Sequence, residues 1–207
     1  MNSLLVVLLL GLLPLAYGYK CDPLPPQVAG AHPGMMARYF TLPRKLRVSD
    51  TIIVRGKIGP STYPYKRFWI DLFVGTNPVY WNSFSSLHFT PQYDLNKTFI
   101  GDYQPNPGHV FRNDVYLPLL FTDKPFLIRI LVQRDGYLIY KDGKFIHKMK
   151  YTKYNYASVQ TIFVQNIDLG TEPCCGVRKR CPSTGAGRMT FYFGDGVVEY
   201  IEGGCID

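Results

Sequence analysis

An all-β fold, a sandwich or barrel of short antiparallel strands, is predicted by three observations. Runs rich in β-branched and aromatic residues recur at short, regular spacing along the middle of the chain. Glycine-containing turn signals separate several of them, as at Asp135-Gly136 and Asp142-Gly143. No segment sustains the 3.6-residue apolar period of an amphipathic helix.

The elements follow in order. Residues 1–18 resemble a secretory signal peptide: an apolar run over 4–13, a break at Pro14, and small residues Ala16 and Gly18 at the expected cleavage positions. The run is short for a membrane span of ~20 residues, and no later stretch is long and apolar enough. A secreted, extracellular chain beginning near Tyr19 is expected. Residues 19–38 form a proline-rich lead-in. Over 20–43 the five prolines Pro23, Pro25, Pro26, Pro33 and Pro43 predict irregular structure. Strands are then predicted over 51–58, 67–74, 87–93, 97–101, 114–120, 126–133, 137–141, 144–149 and 159–164, within a domain of 39–169. The remainder, 170–207, carries four cysteines and many glycines. In it, 189–193 and 197–201 flank Gly194-Asp195-Gly196 as one more hairpin, expected to dock on the main body because an isolated hairpin is marginal in water.

Secretion makes disulfides the expected state of cysteine. The five, Cys21, Cys174, Cys175, Cys181 and Cys205, all lie outside 39–169, so the central domain holds together by packing. The odd number leaves one thiol free or paired in a disulfide-linked dimer. Cys174, Cys175 and Cys181 lack the C-x2-C spacing and accompanying histidine of a zinc site. The four histidines (His32, His88, His109 and His147) show no clustered spacing either, so no metal and no cofactor are expected. Asn96-Lys97-Thr98 is an N-glycosylation sequon. Arg178-Lys179-Arg180 is a basic turn or a processing site.

The net charge is +8, from 23 Lys+Arg against 15 Asp+Glu. Residues 38–67 carry eight basic side chains and one acid, Asp50; residues 124–153 carry eight and two. Such an excess favours anionic partners. Outside the cell these are sulfated or sialylated glycans and acidic proteins rather than nucleic acid.

The strand Leu87-His88-Phe89-Thr90-Pro91-Gln92-Tyr93 has two characters. Alternation puts His88, Thr90 and Gln92 on one face and Leu87, Phe89 and Tyr93 on the other. Three polar groups in a row are suited to hydrogen-bonding a flat polar ligand. An ordinary half-exposed strand has the same pattern.

Several pieces resemble one family in order and spacing. They are Phe40-Thr41-Leu42-Pro43 with Leu46 and Ile52-Ile53-Val54-Arg55-Gly56; Phe68-Trp69-Ile70-Asp71-Leu72; the His88 strand; Lys124-Pro125-Phe126 through Gly143; and Gln165-Asn166-Ile167-Asp168-Leu169. Together they are similar to a galectin over 39–169. The resemblance implies a two-sheet antiparallel jelly-roll sandwich with a groove for β-galactosides. Extracellular glycans or glycoproteins are the implied partners. A signal peptide and a cysteine-bearing tail depart from the family pattern.

The family's groove uses H-x-N-x-R on one strand, N on the next, and W-x-x-E-x-R on a third. Carried over, His88 is kept, Thr90 stands for Asn, and Gln92 for Arg, losing the planar charged fork. Asp102 falls near the next Asn. On the third strand Gly108 or His109 stands at the Trp, Phe111 or Arg112 at the Glu, and Asn113 at the last Arg. Trp69 lies in a core-like strand, and Trp81 precedes His88 by seven residues, ~23 Å if extended. Tyr103 and Phe111 are the other rings that could stack on a sugar. There is no glutamate between Tyr19 and Leu169, so only Asp102 or Asp114 is left to order a groove arginine. Glycosidases need two carboxylates flanking the scissile bond. No such pair is spaced on one strand face, and G-x-S-x-G is absent. The expectation is a carbohydrate-binding protein that is not an enzyme, with a degenerate galactoside site at His88, Thr90, Gln92, Asp102 and Asn113. The alternatives are a galectin fold that binds proteins or is structural, and a binder of sulfated glycans.

Overall fold

The computed structural model describes residues 18–60, 65–105, 110–169, 188–194 and 196–201. Among them, fifteen strands form two antiparallel-dominated sheets. The strands are β1 (Gly18–Pro23), β2 (Val28–Ala29), β3 (Met36–Thr41), β4 (Thr51–Ile58), β5 (Trp69–Val74), β6 (Ser85–Gln92), β7 (Lys97–Gln104) and β8 (Val110–Pro118). They continue with β9 (Phe126–Gln133), β10 (Gly136–Lys141), β11 (Lys144–Lys150), β12 (Val159–Gln165), β13 (Ile167–Asp168), β14 (Arg188–Phe193) and β15 (Gly196–Ile201). One sheet runs β1-β15-β14-β4-β9-β10-β11, with β13 beside β4; the other runs β2-β3-β12-β5-β6-β7-β8. This is the two-sheet jelly-roll sandwich the sequence predicts.

Alternation builds the core. β9 reads buried and half-buried by turns, with Phe126, Ile128, Ile130 and Val132 facing inward. They meet Ile70, Leu72, Leu87, Phe89 and Ile100 from the other sheet. Tyr137 is the largest fully buried side chain among the described residues, and its hydroxyl is 2.8 Å from Ser86 Oγ, so its polar end is satisfied. The β10–β11 turn uses Asp142 at φ 49° and Gly143 at φ 81°, the two left-handed residues a two-residue hairpin requires.

The lead-in differs from the irregular segment expected. It contains β2 and β3, antiparallel to each other, and β1, which pairs in parallel with β15. The hairpin β14–β15 adds edge to edge onto β4, from Arg188 opposite Arg55 to Tyr192 opposite Thr51. Phe191 and Met189 thereby enter the main core. Cys21 lies in β1 opposite Glu199, whereas Cys174, Cys175, Cys181 and Cys205 lie outside the described residues, as do most of the signal segment and Arg178-Lys179-Arg180.

A second apolar cluster is decisive for the site. Met35, Ala37, Trp69, Phe73, Tyr80 and Phe163 pack on the outer face of the seven-stranded sheet. Two irregular pieces cover that face. Residues 30–35 turn back on themselves, Gly30 N–H donating to Met35 O at 2.8 Å and Met35 N–H to His32 O at 3.2 Å. The 3-10 turn Tyr80–Asn82 supplies the other. β5 and β6 are consequently buried on both faces.

Candidate functional site

The polar row of β6 does share a face, and that face is covered. His88 is 4% exposed and Thr90 1%. β5 and β6 are in register with Asp71 opposite His88. That register brings Asp71 Oδ1 to 2.7 Å from His88 Nδ1. Asp71 Oδ2 is buried with no hydrogen-bond partner among the described residues. The Phe111 ring lies 5.0 Å from the His88 ring and the Phe99 ring 5.6 Å, sealing the imidazole from above. Thr90 Oγ1 donates to Phe68 O at 2.8 Å. The half-exposed strand the pattern also allowed is thus replaced by one buried on both sides.

Gln92, half-buried, stays at the rim of the groove. Asp102 does not join it. In β7 the outer face is held by Phe99, Gly101 and Tyr103, opposite Thr90, His88 and Ser85 of β6. Asp102 shares its side with the core residue Ile100. There it accepts from Gln104 Nε2 at 3.3 Å and from the Thr152 hydroxyl. The physical reason is uninterrupted alternation in β7: the outward place opposite His88 falls to Gly101, so its neighbour Asp102 faces the side of Ile100. Asn113 is also displaced. It is the extra residue of a bulge in β8, at φ 50°, and its Nδ2 donates to Lys150 O at 2.9 Å, toward the other sheet's edge. Asp114 is exposed and Gly108 and His109 lie outside the described residues. Asn96 is exposed at φ 50° just after the 3-10 turn Tyr93–Leu95, while Thr98 of the same sequon is fully buried.

A groove of about 230 Å³ remains over the outer face. His88 and Thr90 form its floor with Gln92 at the rim, and Phe99, Phe111 and Tyr116 form one wall. The opposite wall consists of His32, Arg67, Trp69, Tyr80 and Trp81. None of these five is among the site residues the sequence predicts. Trp81, 39% exposed, is brought there by the 3-10 turn, which Tyr103 Oη anchors by donating to Trp81 O at 3.0 Å. His32 packs 5.0 Å from the Trp69 ring and 5.6 Å from the Trp81 ring. Arg67 is the bridge partner of Gln92. Its Nε and Nη2 donate to Asp94 Oδ1 and Oδ2 at 2.8 and 2.5 Å, a bidentate fork. A signal for Arg67 was available, since alternation over 67–74 puts Arg67, Trp69, Asp71 and Phe73 on one face. Trp81 and His32 lie in irregular segments and carry no such signal.

The electrostatics are balanced. The hydrogen bond from Arg67 holds the Asp94 carboxyl below its ordinary range. Burial, reinforced by the Arg67 charge, lowers His32, which is therefore neutral at physiological pH. Burial raises Tyr80 well above the ordinary phenol value. Among the described residues no three His, Cys, Asp or Glu side chains gather in a metal-binding group.

The comparisons with known proteins agree with this architecture. The family model described as galactoside-binding lectin matches residues 37–169. Among solved structures, Caenorhabditis elegans galectin LEC-6 superposes with a TM-score of 0.51 at 10% identity, covering 68% of this chain and 91% of that one. Sheep galectin-11 in complex with glycerol gives 0.50 at 13%, covering 66% and 94%. A variant of human galectin-16 gives 0.49 at 20%, covering 62% and 90%. No curated protein matches the chain. A family match over well more than half the sequence, on a sandwich of this topology, identifies the chain as a member of the galactoside-binding lectins, the galectins.

Proposed function

We propose that this galectin is a secreted, non-enzymatic carbohydrate-binding protein whose galactoside site is degenerate, leaving weak or altered glycan specificity. The observation that carries the reading is the commitment of the family's polar positions to internal contacts. His88 is held by Asp71 beneath Phe111, Thr90 by the Phe68 carbonyl, and Asn113 by the Lys150 carbonyl. Asp102 points to the sandwich interior. Gln92 alone of the five meets the groove without a side-chain hydrogen bond among the described residues. A sugar hydroxyl that finds no partner costs ~1–3 kcal/mol, so two or three such losses abolish useful lactose affinity.

The carboxylates near the groove argue against hydrolysis. Asp71 is buried against His88 and Asp94 is forked by Arg67, so neither is placed to flank a scissile bond with the other. Secretion rests on the apolar segment at 1–18. Chromatography on immobilised lactose tests the specificity claim: the protein is expected in the flow-through, and retention that free lactose reverses overturns it. The apolar cluster filling the outer face favours one second reading, a galectin fold that binds proteins. A glycan array without hits at low salt would select it.

A further inference from the structure

We propose that Trp81 and Arg67, with Gln92 and His32 beside them, form a relocated sugar subsite for one uncharged pyranose ring. The ring's apolar face lies on the Trp81 indole and its hydroxyls meet the Arg67 guanidinium and the Gln92 carboxamide. This assignment rests on the carbohydrate-binding reading above and names the residues and the ligand class.

Three features carry it. The first is the indole. Pyranoside recognition needs a large aromatic platform, and Trp81 is a tryptophan that combines 39% exposure with a place in the groove wall, whereas Trp69 is 4% exposed. Its turn is fixed from several sides. Tyr103 Oη donates to Trp81 O, Asn82 N–H donates to Val79 O at 2.8 Å, and Val79 N–H donates to Ser83 Oγ at 2.9 Å. An aromatic anchor fixed before binding costs little ordering entropy when a ligand arrives.

The second is the paired donor and acceptor set. The Arg67–Gln92 bridge places a planar guanidinium and a carboxamide on neighbouring strands at one end of the groove. Asp94 fixes the plane of the guanidinium by its bidentate contact. With Nε and one Nη2 hydrogen turned to Asp94, the remaining Nη edge of a guanidinium fixed in plane, beside a group with both C=O and NH2, matches adjacent hydroxyls, each of which donates and accepts.

The third is charge and size. The Arg67 charge is balanced by Asp94, and His32 is held neutral by burial and by Arg67 itself. The subsite therefore offers little net charge to a sulfate or carboxylate. The volume, about 230 Å³, is below the ~300–1,000 Å³ of sites for drug-sized ligands and suits a single ring with the rest of a glycan outside.

Saturation-transfer NMR on the full secreted chain tests this, with methyl pyranosides of galactose, N-acetylgalactosamine, glucose and mannose, and galactose 3-sulfate, as probes. At least one neutral glycoside is expected to receive saturation and to outcompete the sulfated sugar. Trp81→Ala is expected to weaken its binding at least tenfold and Arg67→Lys several-fold, since an ammonium lacks the planar fork. Trp81→Phe should retain most of it. Labelling with 5-fluorotryptophan gives a readout without mutation: the Trp81 resonance should move on titration and that of Trp69 much less. Saturation and fluorine shifts that ignore Trp81, or preference for the sulfated probe, overturn the subsite while leaving carbohydrate binding intact. No transfer to any probe overturns the carbohydrate reading itself.

Discussion

His88 is kept from the family's groove, and its geometry predicts that it now acts in stability rather than in binding. Replacing it with alanine leaves Asp71, 1% exposed, with neither carboxyl oxygen hydrogen-bonded, because Oδ2 already lacks a partner among the described residues. Removing one partner of a buried pair costs ~3–5 kcal/mol. At ~2–4 °C per kcal/mol for a chain of this size, His88→Ala should melt ~6–20 °C lower by circular dichroism. The pair should also be coupled. Asp71→Ala/His88→Ala removes the stranded carboxyl group, so the double variant should lose ~1–2 kcal/mol less than the sum of the single ones. A His88→Ala protein that melts within about 2 °C of the parent while losing its glycan ligand would refute the argument, and would return His88 to the ligand-contacting set.

The remaining predictions concern the scaffold and pH. A Cβ on Gly136 would lie 2.2 Å from Met149 O, a backbone atom that cannot give way without shifting β11; Gly136→Ala should therefore destabilise by ~3 kcal/mol in urea titration. Gly143→Ala meets nothing within 4 Å but must hold φ at +81°, and should cost only ~1–2 kcal/mol. His32 and His147 are both lowered from the ordinary value of 6.5, chiefly by burial. The unfolded chain then binds more protons once the pH drops below 6.5, so stability is full above that pH and declines as the pH falls toward the folded values. Melting temperatures at about pH 7.5 and about pH 5.5 should show this drop, and His32→Gln should shrink it.

Local signals fixed much of the sandwich. β4 and β9 begin and end where the alternation of apolar residues begins and ends. The β9–β10–β11 meander follows from two Asp-Gly pairs. Strands formed by distant partners were not legible. β1 depends on β15 and β3 on β12, so 20–43 looked irregular to any local reading. β8 was placed four residues late, because Arg112-Asn113-Asp114 interrupts the alternation and Asn113 is the bulge residue. The site shows the same division. That His88, Thr90 and Gln92 share a face follows from the period of a strand, and the groove lies over that face. The burial of His88 and Thr90 does not follow, because Phe99 and Phe111 of neighbouring strands close over the imidazole and residues 30–35 with the Tyr80–Asn82 turn cover β5 beside it, the last two without a periodic signature.

The missing glutamate shows how a groove can keep a chemical device while changing the residues that supply it. With no glutamate in the domain, the sequence left Asp102 or Asp114 to order a groove arginine. Neither does so. Asp102 is engaged with Thr152 and Gln104, and Asp114 is exposed on an edge strand. The arginine that faces the groove is Arg67, and the carboxylate that orients it is Asp94. Arg67 sits just before β5 and Asp94 just after β6, so the pair is made by two strand ends that meet at the Arg67–Gln92 bridge. A motif of fixed spacing along a strand cannot describe such a pair, since its members are 27 residues apart and joined only through the sheet. Its effect on the guanidinium is that of a neighbour on the same strand: two charge-assisted contacts hold the plane of the fork. Gln92, which replaces an arginine in the family pattern, lies beside that fork. The guanidinium missing from position 92 is thus supplied one strand away by Arg67, the residue whose loss should distinguish a displaced site from a decayed one.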